Sequence, residues 1–165
     1  MSFLKITLGT LIIVFSFGLS AQAQSLNNAD EGYDTDKLNS FMDSWHLAAA
    51  QADAEMFFGM MAEEGIYIGT DKTERWLRDE LREWSTKAFE SESAWTFINK
   101  ERNWQIHEKQ GFAIADELLQ TWMGPCRATA VISLKNEQWE IIHYQLSVTI
   151  DNDKIEQFKD LQDIP

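Results

Sequence analysis

Two kinds of periodicity divide the chain. Over residues 35–51 the apolar positions Leu38, Phe41, Met42, Trp45, Ala48 and Ala49 recur at steps of three and four, which gathers them on one stripe of a helix. Asp34 or Thr35 can cap the first turn, because a short side-chain oxygen accepts from the free amides there. Asp53 can cap a second short helix over 54–63, with Met56, Phe57, Met60 and Met61 buried and Gly65 ending it. Gly65 to Gly69 reads as a short strand between glycines. Asp71 followed by Glu74 has the spacing of a capping box and predicts a third helix over 72–89. Trp76, Leu77, Leu81, Trp84 and Ala88 share its apolar face, and Arg75, Arg78, Asp79, Arg82 and Glu83 form a solvated one.

From Ala94 onward alternation replaces the helical period and predicts strands over 95–108, 112–123, 127–134 and 139–150, with turns at 109–111, 124–125 and 135–138. Helices followed by antiparallel strands make an α+β domain. A long first helix against a strongly curved sheet encloses a cone with an apolar interior.

Along the last strand, Trp139, Ile141, His143, Gln145 and Ser147 share one face, and Glu140, Ile142, Tyr144, Leu146 and Val148 the other. A turn that pairs Ser133 with Trp139 sets Thr129 opposite His143 and Arg127 opposite Gln145. One face of the hairpin is then a polar patch. The other is apolar, with Ala128, Ala130, Ile132 and Tyr144. Alternation does not choose which face points into the cone.

The first residues carry a different pattern. A short positive start ending at Lys5 precedes an almost wholly apolar run from Ile6 to Leu19, and Ala21-Gln22-Ala23 offers small residues where a signal peptidase reads. The run is short of the roughly 20 residues that a membrane-spanning helix needs. No Cys lies near the cleavage site, which argues against a lipid anchor. The expected organisation is a signal peptide (1–23), a flexible leader (24–34), a single domain (35–150) and an acidic tail (151–165) that is either a short helix or disordered. The protein is then exported, to the periplasm or beyond, with no membrane anchor in its mature form.

Composition narrows the partners. The chain has 165 residues and a net charge of -13, and Lys and Arg are not clustered. An acidic surface without such clusters excludes nucleic acid and anionic lipid as partners. The single Cys cannot form an internal disulfide.

Three stretches together resemble the NTF2-like superfamily, in particular its SnoaL-like branch. They are Trp45-His-Leu-Ala-Ala-Ala-Gln-Ala-Asp53, Ile68-Gly-Thr-Asp-Lys-Thr-Glu-Arg-Trp76, and Arg127-x-Thr129 followed by Trp139-Glu-Ile-Ile-His-Tyr-Gln-Leu-Ser147. The association domain of calcium/calmodulin-dependent kinase carries a similar last strand. The resemblance spans about 35–150 and implies a cone-shaped fold, a ligand in the cone and a homodimer. It also suggests that the Tyr144 face points inward. Gln145 stands where a second His is common and Asp151 where a Pro is common. An amide cannot exchange a proton near neutral pH, so chemistry needing that His is in doubt.

Candidate chemistry remains open on these residues. With the polar patch inward, His143 and Arg127 would be an acid/base group and an anion clamp; with it outward, they would serve dimerisation. Glu117, flanked by Ala113 and Ala115 on its face, is a candidate general base or a salt-bridge partner of Arg127. His46, His107 and His143 lack metal-ligand spacing, and Cys126 has no base beside it. No metal or cofactor is implied. Trp45, Phe58, Tyr67, Trp76, Trp84, Trp95, Trp122 and Tyr144 are the candidate pocket walls, suited to a flat apolar ligand. The resulting expectation is a binder of a small, partly apolar molecule. The alternatives are a cofactor-free isomerase, dehydratase or hydrolase, and a homodimeric assembly or partner-binding domain.

Overall fold

The computed structural model describes residues 33–162; the expected export signal, the leader up to residue 32 and the last tail residues lie outside them. Helix α1 (Thr35–Ala50) begins at Asp34, whose side chain accepts from the Asp36 amide at 2.9 Å. It buries the expected stripe, Phe41 only in part, and in addition His46. Asp53 caps α2 (Ala54–Gly59) by accepting from the Met56 amide at 2.9 Å. Trp45 joins the two helices. Its indole N–H donates to the Phe57 carbonyl at 3.0 Å, and its ring stacks on Phe57 with centroids 4.6 Å apart.

The chain continues through β1 (Met61–Ile68), β2 (Arg75–Leu77), α3 (Arg78–Trp84), α4 (Thr86–Phe89), β3 (Ile98–His107), β4 (Phe112–Thr121), β5 (Gly124–Lys135), β6 (Gln138–Val148) and α5 (Ile155–Leu161). The strands make one 6-stranded sheet in the order β2-β1-β6-β5-β4-β3. Every pair is antiparallel except β1 with β6. This is the α+β arrangement expected from the sequence: helices first, then a mostly antiparallel sheet. The core lies between α1 and the inner face of the sheet. Ala113, Ala115, Ala128 and Ala130 form a small-residue floor there, which leaves room for Trp45 and Tyr144.

The structure corrects several local expectations. Helix α2 stops at Gly59, and Met61 already belongs to β1. Met56 is consequently exposed, while Phe57 and Phe58 are buried. Gly65 lies inside β1 rather than ending a helix. A Cβ there would sit 2.9 Å from the carbonyl oxygens of Ala62 and Ile141, so the parallel strand can approach only a glycine.

The expected helix over 72–89 is broken. Asp71 and Glu74 do interact as a capping pair would: the Asp71 amide donates to Glu74 Oε2 at 3.1 Å and the Thr73 amide to Asp71 Oδ1 at 2.8 Å. They close a turn instead, because the Gly69 amide donates to the Glu74 carbonyl at 2.9 Å and Tyr67 pairs with Trp76 across β1 and β2. The helix starts only at Arg78, where Glu80 accepts from the Leu77 amide at 2.9 Å.

In the closing hairpin Ile132 pairs with Ile141 and Val131 with His143, so Ile142 is an extra residue in β6. This bulge puts Ile141, not Ile142, on the inner face with Tyr144 and Leu146. The turn pairs Trp139 with Leu134 rather than Ser133, and together with the bulge this sets Thr129 opposite Gln145 and Arg127 opposite Ser147. The preceding turn is Trp122-Met123, with Gly124 (φ 97°) already paired to Thr121. Tyr33, assigned to the leader, is buried edge-on against Trp139 with centroids 4.9 Å apart. The tail forms α5, the helical alternative of the two expected.

Candidate functional site

The inner face of the hairpin is the Tyr144 face. Arg127 and His143 therefore lie on the outer face of the sheet, where Arg127 is half exposed and its guanidinium sits 3.6 Å from Asp116. The structure does not bring them together with Glu117, whose side chain is fully buried on the inner face of β4.

Glu117 is held by residues that the sequence reading did not connect to it. Register pairs it with Arg102 on β3, and Arg102 Nε donates to Glu117 Oε1 at 2.7 Å. The same guanidinium donates to the Asn39 carbonyl at 3.2 Å and Asn39 Oδ1 at 3.3 Å, and to Asp43 Oδ1 at 2.9 Å. Three elements thus meet at one cation. On the other side, His46 Nε2 from α1 lies 3.4 Å from Glu117 Oε2. Among the described residues neither of these two atoms has a hydrogen-bond partner, nor does the buried hydroxyl of Tyr144. Burial pushes the Glu117 carboxyl up. The nearby His46 and Arg102 outweigh it and hold the group below its ordinary value of 4.5. Burial pushes the Tyr144 phenol well up, and the Glu117 charge adds to that.

A cavity of about 140 Å³ opens beside this cluster. Its walls come from distant parts of the chain. The β1–β2 hairpin supplies Tyr67, Gly69, Thr70, Glu74 and Trp76, and the end of α3 supplies Trp84. The segment before β3 supplies Trp95 and Phe97, the β4–β5 turn Trp122 and Met123, and β6 Leu146. That segment is docked by the Ala94 and Trp95 amides, which donate to the Ala49 carbonyl at 3.0 and 3.2 Å. Trp76 and Trp84 lie with centroids 4.5 Å apart, and Tyr67 is nearly parallel to Trp95 at 6.3 Å. Trp122 is 84% exposed at the rim. Phe97 separates the cavity from His46, with ring centroids 5.4 Å apart, and Tyr67 separates it from Tyr144 at 5.3 Å.

Of the residues expected to wall a pocket, Tyr67, Trp76, Trp84, Trp95 and Trp122 line this cavity. Trp45, Phe58 and Tyr144 are packed in the core behind it. The sequence reading missed Glu74 because its capping spacing was spent on a helix. It missed Arg102 because the expected turn at 109–111 sets Asn103 opposite Glu117, whereas the observed pairing of His107 with Phe112 sets Arg102 there. Among the described residues Glu74 is the one charged residue in the wall, and its Oε2 accepts from the Asp71 amide. Burial pushes the Tyr67 phenol above its ordinary value, with the Glu74 charge the next cause. Among the described residues no group of three or more His, Cys, Asp or Glu side chains is placed to hold a metal ion.

A family model described as a SnoaL-like domain matches residues 38–151. No curated protein matches the chain in sequence. Among solved structures, an NTF2-like protein of unknown function from Pseudomonas putida is 14% identical with a TM-score of 0.60, over 83% of this chain and 94% of that one. A domain of unknown function with a cystatin-like fold from Nostoc punctiforme is 13% identical with a TM-score of 0.62, over 80% of this chain and 87% of its own. An NTF2-like protein from Cytophaga hutchinsonii is 12% identical with a TM-score of 0.57, over 69% of this chain and 97% of its own. At such identities the likeness is one of fold.

Proposed function

The chain belongs to the SnoaL-like domain family, and on that premise we propose that it binds a small, partly apolar molecule in the cavity between the β1–β2 hairpin and the β4–β5 turn. One observation carries the reading: four Trp side chains and Tyr67, brought from four separate segments, converge on one open cavity. Aromatic rings give a large apolar contact at little entropic cost, so such a wall suits a small ligand. Protein purified from its own source should carry a bound small molecule in native mass spectrometry. Its release should change the tryptophan emission. A protein that is empty and whose fluorescence responds to no small molecule would overturn the reading.

A second reading, a cofactor-free enzyme, is favoured by the pair of Glu117 and His46 inside the cone. The ion pair with Arg102 weighs against it, because a carboxylate held below its ordinary pKa is a weak general base near neutral pH. Export belongs to the same proposal, and amino-terminal sequencing of the mature protein should begin near Gln24. So does a homodimer through the outer sheet face; sedimentation of Arg127→Ala should show a weaker dimer, and an unchanged one would remove Arg127 from that role.

A further inference from the structure

We infer that the ligand of this cavity is a cation: a small amine or substituted ammonium compound whose charge lies against the tryptophan rings and the Glu74 carboxylate. The inference rests on the binding reading above and specifies its ligand class.

Among the described residues the wall combines Trp76, Trp84, Trp95, Trp122 and Tyr67 with one carboxylate, Glu74, and includes no Lys or Arg. The face of an aromatic ring is electronegative and attracts a cation, most strongly where water is excluded, and Trp is the best such ring. Several rings and one carboxylate around a small cavity therefore discriminate for positive charge, whereas a purely apolar wall would not. A neutral flat ligand gains stacking from the same rings but leaves Glu74 without a counter-charge.

Glu74 is placed for this role by the backbone. Its Oε2 is anchored on the Asp71 amide, and its side chain crosses directly over Gly69, where a Cβ would collide with it. It reaches the cavity because position 69 has no side chain. The long-range field has the same sign: at a net charge of -13, a cationic ligand is drawn to the protein and an anionic one repelled.

The probes are choline and 3,3-dimethyl-1-butanol, which have the same shape and differ in carrying a charged nitrogen or a neutral carbon. Indole serves as a neutral apolar control. Binding is followed by intrinsic tryptophan fluorescence and by titration calorimetry on the full-length protein. Choline should bind about tenfold or more tighter than its neutral isostere, the ratio expected for a cation–aromatic contact of about 1–2 kcal/mol. Glu74→Gln keeps an oxygen for the Asp71 amide and should weaken choline about tenfold without changing indole. Trp84→Leu, at an exposed position outside the turn, should also weaken choline.

Equal or tighter binding of the neutral isostere would overturn the cationic ligand and leave the binding reading standing. So would indole binding without choline binding, or choline binding that is insensitive to both substitutions. No response to any of the three probes would overturn the cationic ligand, and the binding reading falls with it only if protein purified from its own source is also empty in native mass spectrometry.

Discussion

Arg102 and Glu117 face each other across β3 and β4 inside the domain, with Nε donating to Oε1 at 2.7 Å and the two side chains 3% and 0% exposed. Because the same guanidinium also holds Asn39 and Asp43, this pair fastens α1 to the sheet. Removing one partner strands a buried charge. Arg102→Met should therefore cost about 3–5 kcal/mol in urea denaturation. Arg102→Met combined with Glu117→Leu should recover most of that loss, since it leaves no buried charge behind. A single variant within about 1 kcal/mol of the parent would show that Glu117 finds water or another partner.

The same pair sets a pH dependence. Burial raises the Glu117 pKa, but His46 and Arg102 bring the folded value below 4.5. Between the two values the unfolded chain binds a proton that the folded chain does not. The stabilisation is present above pH 4.5 and is lost as pH falls through the folded value. Thermal unfolding from pH 7 to pH 3 should show Tm dropping at the acid end. The drop should be smaller in Glu117→Gln, which has no proton to take up there. Equal slopes in both proteins would assign the acid sensitivity to other carboxylates.

How much of this was legible in the sequence depended on whether a local pattern had one structural meaning. The α1 stripe did, because its three- and four-residue spacing is satisfied only by a helix, and its caps at Asp34 and Asp53 formed as read. The pair Asp71 and Glu74 did not. Its hydrogen bonds serve a turn as well as a helix start, and Trp76 pairing with Tyr67 decided for the turn. The bulge at Ile142 was invisible to strict alternation, since one inserted residue exchanges the faces on either side of it. Arg102 and His46 were missed as partners of Glu117 because that contact joins α1, β3 and β4, which no local pattern connects.

Gly65 tests the parallel seam. A Cβ there would lie 2.9 Å from two backbone oxygens, of Ala62 and Ile141, neither of which can rotate away as a side chain would. Gly65→Ala should cost about 1–3 kcal/mol, the usual penalty for overpacking. The damage should be local. The Ile141 amide, which donates to the Met60 carbonyl at 2.9 Å, should lose hydrogen-exchange protection before the β4–β5 amides do. Unchanged protection at Ile141 would mean that β1 can shift without parting from β6.

Tyr144 tests whether the buried cluster belongs to the cavity. Its ring packs edge-on against Trp45 at 4.7 Å and lies 5.3 Å from Tyr67, and its hydroxyl has no hydrogen-bond partner among the described residues. A buried hydroxyl without a partner costs about 1–3 kcal/mol, so Tyr144→Phe, which keeps every ring contact, should be as stable as the parent or more so. Calorimetric Tm reads this directly. A destabilisation above about 1 kcal/mol would mean that the hydroxyl makes a hydrogen bond in solution. If choline binding weakened in the same variant at unchanged stability, the Tyr144 hydroxyl would count as acting on the ligand through Tyr67, whose ring stands between it and the cavity.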